Sequence, residues 1–159
     1  MDNLSRLTSK EVDLMFSQFS AWYGVDCTFL KSYFFYRSSK ERIHISSVDM
    51  DSFSDLRILN CGMYFAKEHD NNRIRLSQEG AQLLKPIKNV LVLTEKGFAS
   101  YICGESLFLE EGQELDCDGK CPFLIAKYKD VFLGCVSRKD PYYLNYISKG
   151  RKLDHNKVF

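Results

Sequence analysis

Residues 88–139 constrain the fold of this chain more than any other stretch, because few architectures accept their order of elements. The run KNVLVLTEKGFASYICGESLFLEE opens with an apolar strand at 89–93 and continues into a short helix at 95–103. Thr94 stands where an N-cap takes up an orphan backbone N–H, and Gly104 stands where a left-handed cap ends the last turn. An acidic connector follows, and then PFLIAKYKDVFLGCVSRK alternates apolar and polar residues on either side of Lys129-Asp130. That alternation predicts two antiparallel strands, 123–128 and 131–137, joined by a tight turn. With 142–147 as a closing strand, the segment reads as a small closed or partly closed barrel with one helix.

The residues upstream need a different architecture. Thr8 and Glu11 have the spacing of a capping box, and Val12, Met15, Phe16, Phe19 and Trp22 recur at helical spacing, so a helix is predicted over 8–23 with Gly24 as its stop. The aromatic and β-branched run CTFLKSYFFYR and the shorter RIHIS flank a polar tetrad at 38–41 and predict a β-hairpin. A further strand is expected within 56–65, a turn at the HDNN cluster of 69–72, and a strand at 73–76. Ser77 caps a helix over 78–84 that Pro86 terminates. The fold class is therefore α+β, with a mixed α/β domain at 1–86 and the barrel at 87–159.

A chain of 159 residues with a 45% hydrophobic fraction has enough apolar surface for a packed core. Its net charge of +1 gives no ground for a whole-molecule attraction to polyanions, but the charge is unevenly placed. Residues 105–118 carry six carboxylates and no Lys or Arg, whereas 119–159 carry nine cations against three carboxylates. The first 16 residues are polar and amphipathic, neither a secretory signal nor a membrane span, which predicts an intracellular protein. The six cysteines lack the spacing of a disulfide scaffold and read as reduced thiols.

The residue patterns of common enzymes are missing. No G-x-G turn follows a strand, no G-K-S/T loop is present, and His44, His69 and His155 share no metal-binding spacing. Cys117 and Cys121 have the spacing of half a zinc site, but no second pair completes it, so no metal or other cofactor is expected. Glu110-Glu111 and Asp116-x-Asp118 read as a solvated loop rather than acid-base machinery. The chemistry that remains belongs to nucleic acid. Lys127, Lys129, Arg138 and Lys139 lie on or beside the hairpin, Lys149, Arg151 and Lys152 lie beyond it, and Tyr128, Tyr142, Tyr143 and Tyr146 are interleaved with them. Such cations contact phosphates and such rings stack on unpaired bases. The same residues also suit solubilised strand edges and rim aromatics, and composition alone does not separate the two.

The order of elements does favour one of them. Residues 90–109 followed by 123–139 resemble the PUA domain, the RNA-binding module named for pseudouridine synthases and archaeosine transglycosylases, through VLVLTEKGFASYICGESL and the late strand VFLGCVSRK. Upstream, LTSKEVDLMFSQFSAWYG and ILNCGMYFAKEHDNNRIRLSQEGAQLLKP look like the N-terminal domain of the Nip-seven family of large-subunit ribosome biogenesis factors. The shared features there are an initial helix, a G-x-x-F-x-K segment (Gly62, Phe65, Lys67) and an R-L strand leading into a helix. The resemblance implies a non-catalytic factor that binds pre-rRNA, meets other assembly factors on pre-large-subunit particles and resides in the nucleolus of a eukaryote or the cytoplasm of an archaeon. By position it carries the RNA surface to Arg138, Lys139, Lys149, Arg151 and Lys152, with Lys127 and Lys129 as secondary contacts. The acidic connector and the segment after Asp140 depart from the family pattern. Two other classes remain open: the RNA-binding subunit of a split transglycosylase or methyltransferase, and a protein-docking scaffold without RNA affinity.

Overall fold

The computed structural model describes residues 3–58, 60–111, 113 and 117–157. Among these the chain forms two β-sheets, three α-helices and several 3₁₀ turns, a mixed α/β architecture. Helix α1 (Ser9–Tyr23) starts at the expected capping box: Thr8 Oγ1 accepts the Glu11 N–H at 3.2 Å, and the Glu11 carboxylate accepts the Thr8 N–H at 2.7 Å. It ends on Gly24 at φ 65°, a left-handed conformation that glycine adopts without a Cβ penalty. Met15, Phe16, Phe19 and Tyr23 are buried, while Val12 and Trp22 are only partly so. The stripe thus ends on Tyr23 rather than on the expected Trp22.

Helix α1 packs on a five-stranded antiparallel sheet of β1 (Ser5–Arg6), β2 (Phe34–Arg37), β3 (Arg42–Ser46), β4 (Met63–His69) and β5 (Arg73–Leu76), paired in chain order. The hairpin of β2 and β3 lies where the sequence predicts it, but the start of its first strand is a 3₁₀ turn over Thr28–Leu30. There the Asp26 carboxylate accepts the Thr28 N–H at 2.9 Å, a local bond that competes with the β preference of Thr and Phe. The strand expected within 56–65 begins only at Met63, because Gly62 sits at φ 52°, where a Cβ would run into the Ile45 carbonyl. A register shift between Ile43 and His44 lets both Phe65 and Ala66 enter the core. Phe16, Phe35, Phe65 and Phe19 meet edge-on in sequence there, with ring centroids 5.6 to 5.9 Å apart.

Helix α2 (Gln78–Leu84) leads into a second sheet of β6 (Val90–Val92), β7 (Leu124–Tyr128), β8 (Val131–Arg138) and β9 (Tyr143–Asn145), with α3 (Glu95–Ile102) between β6 and β7. Strand β6 runs parallel to β7, so the chain crosses over between them, with α3 in the crossover, as parallel neighbours require. The pairing runs β6-β7-β8-β9 and, among the described residues, does not return from β9 to β6. Instead the outer edge of β9 takes a bridge from Leu107 to Tyr143. Glu114 and Asp116 of the acidic connector lie outside the described residues. No helix among those residues is long and apolar enough to cross a membrane.

The larger apolar core belongs to both sheets. It contains the inner face of α1 and the first sheet, and also Cys121, Phe123, Ile125 and Cys135. A smaller core beneath α3 holds Leu91, Tyr101, Leu124 and Val136 among others. Helix α2 lies between the sheets with Gly80 against the Phe65 carbonyl, leaving no room for a side chain. Gly80→Ala sets a helix-propensity gain of about 1 kcal/mol against overpacking of about 1–3 kcal/mol. The clashing atom is backbone and cannot rotate away, so urea denaturation should show a net loss of about 1–2 kcal/mol. Unchanged or increased stability would mean that α2 lifts off β4 freely.

Candidate nucleic-acid interface

The seven cations singled out from the sequence fall into three groups. Lys127 on β7 and Lys129 in the hairpin turn form the first. Lys127 Nζ lies 5.0 Å from the Phe132 ring centroid, and Lys129 Nζ lies 5.2 Å from that of Tyr128. Tyr128 in turn stacks on Phe98 of α3 at 4.3 Å with an interplanar angle of 9°. Each ammonium therefore sits over an aromatic face, an attraction of about 0.5–1 kcal/mol at exposed sites.

Arg138 and Lys139 lie at the far end of β8, a strand of 8 residues, so about 23 Å separates them from the hairpin tip at ~3.3 Å per residue. The Arg138 Nε donates to Asp140 Oδ1 at 3.0 Å, with both side chains well exposed. Such a pair contributes about 0–1 kcal/mol and yields readily to a competing phosphate.

The third group is the tail. Lys149–Arg151 form a 3₁₀ turn. Arg151 pairs with the Glu79 carboxylate and donates to Gln78 Oε1 at 2.9 Å, both on α2. Lys152 lies over Gly104, occupying the space a Cβ would need, and the Leu153 N–H donates to the Ile102 carbonyl at 2.8 Å. Arg151 and Lys152 thus strap the tail to α2 and to the end of α3, a structural use that their place in a basic segment does not reveal.

The tail also forms one wall of a cleft of about 560 Å³ between the two sheets. The opposite wall is the face of the first sheet turned away from α1, and it presents Arg42, Lys67 and Arg75. In the antiparallel register Arg42 is opposite Lys67, and Lys67 is opposite Arg75, so the three form a row across adjacent strands. Two strand spacings make this row about 10 Å wide. The Arg75 guanidinium carbon lies 4.3 Å from the Tyr146 ring centroid, and that of Arg42 lies 5.6 Å from the Tyr64 ring centroid. With Lys149 and Arg151 the cleft is lined by five cations and one carboxylate, Glu79.

The titration of neighbouring groups reports the same field. His69 is held below the ordinary histidine value, first by burial and then by Arg75, Lys67 and Arg73. Its Nε2 accepts the Arg75 Nε–H at 3.1 Å, which only a ring unprotonated at that nitrogen can do. Burial raises the Tyr64 phenol, while Arg75 and Arg42 pull the other way. Cys135, on the cleft wall, donates to the Leu76 carbonyl and is pushed up to about 12 by burial, so it is a protonated thiol and not a nucleophile.

The two cysteines with half-site spacing are engaged in separate local hydrogen bonds. Cys121 is buried, donates its thiol to the Phe123 carbonyl at 3.0 Å and is raised to about 11 by burial, whereas Cys117 accepts the Gly119 N–H at 3.4 Å. Asp118 accepts the N–H groups of Lys120 and Cys121, which hold its carboxyl below the usual range and make it a turn former. No group of three or more His, Cys, Asp or Glu side chains among the described residues is placed to hold a metal ion.

Sequence reasoning missed Arg42, Lys67 and Arg75. The signal was the HDNN turn: a tight hairpin drawn through it places Lys67 opposite Arg75. No protein-family model and no curated protein matches this chain.

If the cation row sets the field at His69, Arg75→Gln should raise the imidazole midpoint toward the ordinary value of about 6.5, read from the ring-proton shifts in an NMR pH titration. Because the folded-state value is depressed, this group stabilises the fold above its unfolded value, and that contribution is lost as pH falls through the folded one. Arg75→Gln should therefore also flatten the loss of stability below about pH 6.5. A midpoint that stays in place would exclude Arg75 as a source of the depression and leave it to burial with Lys67 and Arg73.

Proposed function

We propose that this chain is a non-catalytic RNA-binding factor acting in large-subunit pre-rRNA processing and ribosome assembly, its second half a partly closed variant of the PUA-type barrel. The observation that carries the reading is the element order over 90–139: strand β6, helix α3, the Gly104 stop, then the β7–β8 hairpin with cations at both of its ends. This is the order that the PUA resemblance implies. The upstream resemblance is supported by α1 and by the position of Gly62, Phe65 and Lys67, which immediately precede β4, fill the core and line the cleft respectively.

In this reading RNA is captured electrostatically. Exposed lysines and arginines displace the counterions of a single strand, and the weak Arg138–Asp140 pair opens to the backbone at little cost. Nothing in this process requires a nucleophile or a bound cofactor. The reading in which the chain serves an RNA-modifying enzyme shares the RNA surface but differs in its partner.

Crosslinking of the full chain in cells followed by RNA sequencing should recover pre-large-subunit rRNA, and co-purification should recover other assembly factors. Recovery of a modification enzyme with its own substrate RNA would favour the subunit reading, and nuclease-resistant protein partners without crosslinked RNA would favour a docking scaffold. In vitro, Arg138→Ala with Lys139→Ala should weaken binding to a single-stranded RNA. The same pair should reduce the slope of log K against log salt by up to about 1.4, at ~0.7 for each phosphate that is no longer neutralised. An unchanged slope would remove the pair from the interface.

A further inference from the structure

We infer that the cleft between the two sheets is a second phosphate-binding site, which seats the backbone of a single RNA strand on the Arg42, Lys67 and Arg75 row and Lys149. This rests on the reading of the chain as an RNA-binding protein and extends it. The resemblance assigns RNA contacts to the second half of the chain only, whereas here the first sheet supplies three of the four cations.

Three observations carry the inference. The first is the register. Like charges directly opposite on neighbouring strands destabilise a sheet, and Arg42, Lys67 and Arg75 repeat that arrangement twice in a row. Among the described residues Arg42, Lys67, Arg75 and Lys149 form no ion pair, so no carboxylate in direct contact with them offsets the repulsion. The Arg37 side chain on the opposite face of the same sheet differs sharply, since it is held by both Glu11 and Glu68. A cost retained on one face and neutralised on the other marks the first as a place for an external anion.

The second is shape. A concave site walled by two sheets and lined by one sign of charge concentrates the field and binds an anion far better than the same charges on a convex surface. Tyr146 and Tyr64 carry the Arg75 and Arg42 guanidiniums on their faces, which limits the rotamer freedom those long side chains would lose on binding. The third is the place of Glu79, the one carboxylate in the lining. It is committed to Arg151, which binds the tail to α2, so the remaining four cations are left for the ligand. Arg151 is accordingly a tether in this site rather than a phosphate contact.

The test uses the full chain and a 12-nucleotide single-stranded oligouridine, with affinity measured across a salt series. Arg42→Gln with Lys67→Gln should weaken binding at least tenfold and reduce the salt slope by about 1.4, at ~0.7 per phosphate contact. Lys10→Gln with Lys31→Gln removes the same charge elsewhere, from exposed residues outside the cleft, and should leave both quantities near the wild type. Equal losses in the two double variants would overturn the inference, since net charge alone would explain them. An unchanged affinity in the cleft variant, with wild-type RNA binding intact, would overturn the site but leave the RNA-binding reading standing. Absence of RNA binding by the wild-type chain would remove both. Inorganic phosphate at millimolar concentration should not displace the oligonucleotide, and full displacement would reassign the cleft to a free anion. Thermal melting is the second readout: Lys67→Gln relieves two opposed like-charge contacts and should raise Tm while weakening RNA binding. A lowered Tm would show that the row serves the fold and not a ligand.

Discussion

Burial of Tyr23 at the end of α1 is the contact on which the joint between the two sheets depends. The ring is fully buried, and its hydroxyl donates to the Phe123 carbonyl of the second half at 2.8 Å. Its own carbonyl accepts the N–H groups of Ile87 and Lys88 at 3.0 and 3.2 Å, so the connector between the halves is pinned to the same residue. One position earlier, the Trp22 carbonyl accepts from the Asn89 side chain, whose oxygen accepts the Asp118 N–H. Burial keeps the Tyr23 phenol protonated and hence a donor. Backbone groups of a connector and a loop that would be costly to bury unpaired are thereby satisfied at one place.

The cleft is a consequence of that joint. With α1 covering one face of the first sheet and the second sheet docked through Phe123, Ile125 and Cys135, part of the other face is left opposite the tail. The tail keeps its position through Arg151 on α2 and Leu153 on α3. Two walls fixed independently hold cations from both ends of the chain together without the cations having to attract one another. The stability that the opposed charges remove is supplied by the phenylalanine cluster on the far face, where large rings meet edge-on.

Local structure was legible wherever a short-range bond decides it. The capping box of Thr8 and Glu11, the left-handed Gly24, the Ser77 and Thr94 caps and the Lys129 turn all lie within a few residues of their partners, and each appears where the sequence places it. Strand limits were less legible where long-range contacts set them. Gly62 ends a loop because its backbone passes close to Ile45, and Tyr23 is more deeply buried than Trp22, with its hydroxyl on the Phe123 carbonyl. The parallel pairing of β6 with β7 could not be read at all, since strands separated by a helix and a long loop carry no mark of their mutual direction. Of the candidate interface, the hairpin and tail cations were visible as a basic segment, but not their division into three groups, nor the use of Arg151 and Lys152 as straps.

By itself the sequence determined which residues are helix, strand and turn over most of the chain, and where its basic and acidic segments lie. It could do so because propensity, capping and periodicity act over a few residues. Only the tertiary structure decided which cations share a surface. Arg42, Lys67 and Arg75 come from three strands and meet Lys149 from the far end of the chain, and that meeting depends on strand register and on the docking of one sheet against the other. The contacts that fix both lie tens of residues apart, as with Tyr23 and Phe123.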